Sequence, residues 1–313
     1  MLARLQQFTT LALIAAAASW AAYFLNAGHA ASAWLGALLI LLGYALFLGV
    51  EFVLLAFVHG DDPTPRADAT QLLHAWWGEV LSAPRVFCWR QPFRANAEPD
   101  KLGADAQGRR GVIFVHGFVC NRGLWNPWMA RLRLRRVPFA AVNLEPVFGS
   151  IDAYPAIIDD AVLRVEAATG LAPVIVAHSM GGLAVRAWLN VYAADTRVHR
   201  VITIGTPHGG TWLARFAFMP NAIQMRIGGS WLRQLAARET AHRHALFTCF
   251  YGHCDNIVFP PRTGTLSGAD NRHVSATAHV HMASAEVVFS ELERWLAASA
   301  EGASDSAGAV LAR

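Results

Sequence analysis

The segment from Val174 to Gly182, Val-Ile-Val-Ala-His-Ser-Met-Gly-Gly, contains a residue that could act as a nucleophile. The apolar run predicts a buried strand, and the glycines after Ser179 predict a sharp turn into a helix. A serine in such a turn has a strained backbone that lifts its Oγ above the sheet edge. The turn needs small residues two positions before and after the serine, and Ala177 and Gly181 meet that need. The segment therefore predicts a serine that attacks a carbonyl carbon.

Such a serine needs a base and an acid that holds the base, and candidates for both lie downstream. Asp255 follows the apolar run 247–251 and is the predicted acid, with Asp270 as the alternative. Two imidazoles, His279 and His281, lie shortly before a predicted final helix and are candidate bases. The predicted chemistry is acyl transfer: the base removes the serine proton, the acid holds the imidazolium, and water later releases the acyl group.

Acyl transfer also needs hydrogen-bond donors aimed at the oxyanion of the tetrahedral intermediate. The backbone N–H groups of Phe118 and Met180 are the predicted donors. Gly117 would let its loop approach the substrate oxygen, and His116 is expected to orient that loop. His208 is expected to stabilise a turn through hydrogen bonds. This chemistry needs no metal and no organic cofactor.

Three motifs resemble those of the α/β-hydrolase superfamily, and in particular of bacterial triacylglycerol lipases and esterases. Residues 177–182 resemble the nucleophile elbow, although the first position is more often Gly than Ala. Residues 114–118, Phe-Val-His-Gly-Phe, resemble the His-Gly oxyanion loop of those lipases. Residues 205–211, Gly-Thr-Pro-His-Gly-Gly-Thr, resemble their Thr-Pro-His segment. The resemblance covers about residues 111–296 and implies the α/β-hydrolase fold.

The same resemblance bears on the acid and the base. The Asp-Asn-Ile-Val sequence that begins at Asp255 is similar to the acid loop of the family. The catalytic histidine of the family is usually followed three positions later by an apolar residue, and His279 with Met282 fits that spacing. The resemblance therefore implies a Ser-Asp-His triad in which His279 is preferred to His281.

The elements that would position these residues follow an alternating pattern. Val- and Ile-rich runs without regular polar positions predict strands that are buried on both faces, with helices between them. The predicted strands cover residues 112–115, 139–143, 174–177, 201–204 and 247–251, and the predicted helices cover 124–136, 151–169, the stretch after Ser179, and 283–298. This alternation predicts an α/β fold with a mostly parallel sheet and helices on both faces. An apolar insertion at about 212–245 is expected to form a cap suited to acyl chains.

The first sixty residues have a different composition from the rest. Residues 8–25 and 30–50 are uncharged, and each run approaches the roughly 20 residues that a membrane-spanning helix requires. They predict a transmembrane hairpin within residues 1–60, with Glu51 at the membrane interface. In the alternative interpretation, the first run is a signal peptide and the second run is the anchor. The hairpin is expected to lie in a bacterial inner membrane, and arginines on both sides of it favour a catalytic domain in the cytoplasm.

The remaining boundaries and partners follow from composition. Residues 61–85 are expected to be a linker leading into a catalytic domain over 86–298, and residues 299–313 a flexible tail. The net charge of +4 comes almost wholly from arginine without a basic run, so nucleic acid is not an expected partner. Cys249 and Cys254 are close enough in sequence to form a disulfide, although reduced thiols fit equally well.

The sequence thus predicts a serine carboxylic ester hydrolase, similar to lipases, that acts on lipid or lipophilic esters at a membrane bilayer. Two other functions stay open. An acyltransferase or thioesterase would use the same acyl-enzyme, and a membrane binding module would use the fold without catalysis. Neither the oligomeric state nor the natural substrate follows from these residues.

Overall fold

The computed structural model describes residues 1–297. Its strands are β1 (Val112–Val115), β2 (Phe139–Ala141), β3 (Val174–His178), β4 (Arg200–Ile204), β5 (Phe247–Tyr251) and β6 (Asp270–His273). Its α-helices are α1 (Leu2–Asn26), α2 (Ala30–Phe57), α3 (Ala69–Pro84), α4 (Gln91–Phe93), α5 (Asn126–Leu134), α6 (Pro155–Thr169), α7 (Met180–Tyr192), α8 (Pro220–Gln224), α9 (Ser230–Ala236), α10 (Ala241–His244) and α11 (His279–Met282). Residues 286–297 form a further helix, the closing helix.

The six strands form one sheet in the order β2-β1-β3-β4-β5-β6, and every pair of neighbours is parallel. Alternate residues of a strand point to opposite faces, and both faces are buried here. Ile113 and Val115 of β1 join a core cluster with residues of α6 and α7, whereas Val112 and Phe114 join a second cluster with α5 and the closing helix. The predicted α/β class is confirmed, and the covering on both faces explains the continuous apolar strands.

Some predicted boundaries differ from the observed ones. The edge strand β6 was not expected, because its sequence Asp-Asn-Arg-His has no apolar residue and it pairs only with β5. The stretch predicted as one helix over 283–298 contains the end of a turn and then the closing helix, and the short α11 precedes it. Residue 298 and the predicted tail over 299–313 lie outside the described residues.

The helices α1 and α2 form an antiparallel hairpin, and only its open end meets the sheet domain. Leu2 and Gln6 are buried near the start of α1, and Glu51, Phe52 and Leu55 are buried near the end of α2. Most other side chains of the hairpin are exposed, and both helices are long and apolar enough to cross a membrane. The second helix continues past Val50 to Phe57, and the side chain of Glu51 within it is buried against the sheet domain. Its expected position at a membrane interface stays a prediction.

The stretch predicted as a linker, 61–85, is mostly the helix α3. Asp68 and Gln71 form a capping box that begins this helix. Its side facing α2 is fixed by two hydrogen bonds to the hairpin. The Trp76 Nε1–H donates to the backbone oxygen of Ala45 at 3.0 Å, and the Tyr44 hydroxyl donates to that of Val80 at 2.8 Å. A packed helix therefore joins the hairpin to the sheet domain.

The four cysteines are free thiols, so the disulfide considered between Cys249 and Cys254 does not form. Cys249 is part of the core cluster beneath α6 and α7, whereas Cys254 is part of a separate cluster with Phe52 and Leu55. Burial raises the pKa of each thiol to about 12. Both are therefore neutral, unreactive core residues.

Candidate active site

The residues that could do chemistry gather where the parallel strands end. Ser179 directly follows β3, Gly117 lies two residues after β1, Gly205 directly follows β4, and Asp255 lies four residues after β5. The carboxyl ends of parallel strands share one edge of a sheet, which is where open α/β sheets bind ligands. The fold therefore brings residues that are far apart in the sequence to one edge.

Ser179 has the strained backbone expected of a nucleophile turn. Its φ is 55° and its ψ is −131°, a conformation that costs a non-glycine residue about 1–3 kcal/mol. Two hydrogen bonds hold it: the Ser179 N–H donates to the Ile204 oxygen at 2.8 Å, and Thr206 Oγ1 donates to the Ser179 oxygen at 2.8 Å. A Cβ at Gly181 would lie 2.6 Å from the backbone oxygen of His116. The small residue predicted at that position is thus required by the close approach of β1.

His279 and Asp255 form a buried pair. His279 Nδ1 lies 2.9 Å from each carboxylate oxygen of Asp255, and the two residues are 5% and 1% exposed. Asp255 is itself held, because its Oδ1 accepts the N–H groups of Ile257 and Val258 at 2.9 and 2.8 Å. With the Nδ1 proton on the Asp255 side, Nε2 of the neutral imidazole is left as an acceptor.

Electrostatics favour the protonated form of this imidazole. Burial lowers the pKa of His279, but the charge of Asp255 and the hydrogen bond to it, with smaller contributions from the carboxylates of Glu79 and Glu51, outweigh burial. The pKa of His279 therefore lies above its ordinary value. An imidazole that is readily protonated but neutral at alkaline pH is suited to general-base work.

The neighbours of His279 connect it to the serine turn. His178, the residue before Ser179, has its ring centroid 4.6 Å from that of His279, and its Nε2 lies 3.1 Å from the His279 backbone oxygen. Burial, with the charge of His279, lowers the pKa of His178 to about 3, so it is neutral and donates this hydrogen bond. Gly205 packs on the other side, where a Cβ would lie 2.8 Å from Asp255 Oδ2 and 3.0 Å from His279 Nδ1.

The second candidate base, His281, lies in a different environment. Its ring packs against α3, where a Cβ at Gly78 would lie 2.3 Å from His281 Nδ1. Burial and the nearby His74 lower its pKa. The alternative acid Asp270 is on the edge strand β6, where it pairs with Arg272 at 2.8 Å. The structure thus places His279, and not His281, beside Asp255.

The loop after β1 is fixed by His116. Its Nε2 accepts the Leu144 N–H at 2.9 Å, and its Nδ1 lies 2.9 Å from the Gly117 backbone oxygen, so Nδ1 carries the proton and donates. Burial lowers the pKa of His116 to about 4, and the residue is neutral. A Cβ at Gly117 would lie 2.7 Å from the Ser179 Cβ, so this loop runs directly over the serine.

The two predicted oxyanion donors, Phe118 and Met180, are the residues that directly follow Gly117 and Ser179. Met180 is the first residue of α7, and an N–H at that position has no partner within its own helix. Phe118 follows Gly117, and its ring packs edge-on against Phe148 at 5.9 Å. Met180 is thus the neighbour of Ser179 in the chain, and Phe118 is the neighbour of Gly117, where an added Cβ would lie 2.7 Å from the Ser179 Cβ.

His208 does not take part in this arrangement. It is buried, with Nε2 3.1 Å from Thr203 Oγ1 and 3.4 Å from Cys249 Sγ, and its backbone oxygen accepts from Arg186 at 3.0 Å. Burial, together with the charge of Arg186, puts the pKa of His208 well below its ordinary value. These contacts fit the predicted role of stabilising a turn.

Sequence reasoning missed three residues next to the pair. Glu79 of α3 accepts backbone N–H groups of α11, Glu51 of α2 accepts from Asn256, and Asn256 in turn accepts the His279 N–H. The one available signal was Glu51, an ionisable residue within an apolar run.

The comparisons with known proteins agree with the fold. The model of a family described as the alpha/beta hydrolase family matches residues 112–306. No curated protein sequence matches the chain. A lipase of Bacillus licheniformis, BlEst2 in its mature form, superposes with a TM-score of 0.54 at 17% identity over 60% of this chain and 92% of its own. Lipase B of Aspergillus fumigatus superposes with a TM-score of 0.50 at 19% identity over 61% of this chain and 54% of its own.

Proposed function

The chain belongs to the alpha/beta hydrolase family, and from this we propose that it is a serine carboxylic ester hydrolase of the lipase type. One observation carries the proposal: His279 Nδ1 is bound by the Asp255 carboxylate at 2.9 Å, beside a serine with the strained turn of a nucleophile. A buried Asp-His pair beside such a serine matches the roles of an acid, a base and a nucleophile.

The reaction would proceed through an acyl-enzyme. His279 Nε2 takes the Ser179 proton as Oγ attacks the ester carbonyl, and Asp255 stabilises the imidazolium that forms. The N–H groups of Met180 and Phe118 bind the oxyanion of the tetrahedral intermediate. His279 then returns the proton to the departing alcohol, and a water molecule activated by the same base hydrolyses the acyl-enzyme.

A lipophilic acyl substrate is supported by the cap. This segment, 212–245, contains a 3₁₀ turn, the helices α8, α9 and α10, and several large apolar side chains that face solvent. Phe216 is 61% exposed and Phe218 is 88% exposed, an unusual state for aromatic residues. The similarity in fold to two proteins named lipases points in the same direction.

We further propose that the protein works at a membrane bilayer. The long apolar surfaces of α1 and α2 are exposed, and α3 beside them exposes Leu73 (63%) and Trp77 (55%). The cap begins at the same place, because Trp212 and Leu213 pack on the cluster that holds Phe52 and Leu55. The apolar surfaces of the hairpin, α3 and the cap would together meet lipid.

Hydrolysis of p-nitrophenyl esters of increasing chain length, by the full chain in detergent, tests the proposed function. The wild type should hydrolyse them with a preference for longer chains, and Ser179→Ala should abolish the activity. Ser267→Ala, at an exposed serine far along the chain from the turn, is the matched control and should keep it. Equal rates for wild type and Ser179→Ala would refute the proposal.

A further inference from the structure

The helices that precede the sheet domain hold the backbone of the base. Glu79 of α3 is 2% exposed, and its carboxylate accepts the Val280 N–H at 3.0 and 3.1 Å and the His281 N–H at 2.9 Å. These are the two residues that follow His279. A buried carboxylate with several N–H donors is a strong and directional restraint on the backbone.

A second restraint starts from α2. Asn256 Nδ2 donates to Glu51 Oε2 at 2.6 Å, and Asn256 Oδ1 accepts the His279 N–H at 3.2 Å. Asn256 also directly follows Asp255, so the same amide fixes the acid relative to the base. The N–H groups of residues 279, 280 and 281 are thus all bound, directly or through Asn256, by carboxylates from the N-terminal helices.

These carboxylates also add negative charge near the imidazole. The charged and titratable groups that face His279 are Asp255 on the acid loop, His178 at the end of β3, Glu79 on α3 and Glu51 on α2. His178 is neutral, so the charge that favours the imidazolium comes mainly from Asp255, with smaller contributions from Glu79 and Glu51. Burial raises the pKa of Glu79, and its N–H donors and the charge of His279 only partly offset this effect.

We propose that Glu79 and Glu51 are positioning residues for the base. The helices α2 and α3 then support the active site, in addition to attaching the domain to a membrane. The inference rests on the proposed function, because it concerns the same triad. It names a role for the hairpin that membrane attachment alone does not require: loss of its contacts would release the loop that bears His279.

The kinetics of two pairs of variants of the full chain in detergent test this role. Glu51→Ala should lower kcat roughly 10- to 100-fold with KM within about twofold, since misplacement of a catalytic group by about 1 Å costs up to about 10²-fold. Glu51→Gln keeps an oxygen that can accept from Asn256 and should restore most of kcat. Glu79→Ala should lower kcat to a similar extent.

The pH profile separates positioning from simple structural support. The acid limb of kcat/KM reports protonation of His279 in the free enzyme. Glu79→Gln removes a negative charge that favours the imidazolium, so the limb should move to lower pH by roughly 0.5. Glu291→Gln is the matched control: this buried carboxylate of the closing helix binds Arg272 of β6 at 2.7 Å, and its loss should lower thermal stability without moving the limb.

The inference is overturned if Glu51→Ala or Glu79→Ala keeps the wild-type kcat, or if Glu79→Gln matches the Glu291→Gln control in both kcat and acid limb. Any one of these variants suffices, so the test survives if another does not fold. Failure of the proposed function would look different, because the wild type itself would then be inactive, or Ser179→Ala would be as active as the wild type.

Discussion

Ser179, Asp255 and His279 all lie in or beside loops that follow strands of the sheet, whereas Glu51 and Glu79 come from helices that precede the first strand. The first group contains the atoms proposed to react. The second group binds the backbone of residues 279–281, directly or through Asn256. The two groups meet across long stretches of sequence: Glu79 and Val280 are 201 positions apart, and Glu51 and Asn256 are 205 apart.

This difference explains why one region can be recognised in the sequence and the other cannot. A reacting serine needs small neighbours and a fixed turn, which leave a local motif. A carboxylate that accepts backbone N–H groups needs only the right position in the fold, and it leaves no motif around itself. The N-terminal region therefore looks like a membrane anchor although it also supports the site.

The largest expected effect separates the two candidate bases. His279→Ala should lower kcat/KM for an ester by about 10⁴-fold or more, since loss of the base of a triad removes most of the catalysis. His281→Ala is the matched control, because its ring packs on α3 and should cost far less. An active His279→Ala together with an inactive His281→Ala would reverse the assignment.

The oxyanion loop should give the next largest effect. In Gly117→Ala the new methyl group would meet the Ser179 Cβ at 2.7 Å and the His178 oxygen at 3.0 Å, so the loop has to move. We expect kcat to fall by about 10²–10³-fold, as for loss of one oxyanion donor. Steady-state kinetics with a p-nitrophenyl ester measure this, and an unchanged kcat would show that the loop takes no part in the reaction.

Gly205→Ala probes the contact between β4 and the Asp-His pair. Its φ is +55°, and the added methyl group would lie 2.8 Å from Asp255 Oδ2, so we expect a loss of kcat of about 10–10²-fold together with lower stability. Gly108→Ala is the control: its φ is +75° with open space around the new Cβ, so it should cost only about 1 kcal/mol of stability. Equal kcat in the two variants would contradict this account.

The smallest effect concerns the other helix of the hairpin. Gln6 Nε2 of α1 donates to Gln91 Oε1 at 2.8 Å and lies 3.4 Å from the Val119 oxygen of the oxyanion loop. Gln6→Ala should lower kcat about two- to fivefold, since a weak contact two positions from Gly117 is lost. Gln7→Ala loses only a hydrogen bond to the Pro92 oxygen and should leave kcat unchanged. Equal kcat values in both variants would show that α1 does not help to position the oxyanion loop, and that only α2 and α3 support the site.

Much of the sheet could be predicted, because burial of a strand on both faces leaves a continuous apolar run in the sequence. The Val- and Ile-rich runs of β1, β3, β4 and β5 are buried on both faces, and that burial is visible in their composition. The strand β6 could not be predicted, because an edge strand of polar residues carries no such signal. The helix α3 was also missed, although Asp68 and Gln71 have the spacing of a capping box.

The candidate site likewise has residues that a local motif predicts and residues that no local motif predicts. The elbow and the loop around Gly117 follow from local motifs, and so does the choice of His279 over His281. The burial of Glu51 could not be predicted, because nothing near it in the sequence reveals Asn256 as its partner. An apolar run with one carboxylate fits a membrane span that ends at an interface just as well as a helix that binds the active site.

Covalent labelling tests the central claim, the identity of the nucleophile, most directly. The full chain in detergent would be treated with a fluorophosphonate, and the site of the adduct would be located by peptide mass spectrometry. We expect one adduct, on the peptide that contains Ser179, and none in Ser179→Ala. An adduct on another residue, or labelling that persists in Ser179→Ala, would contradict the account.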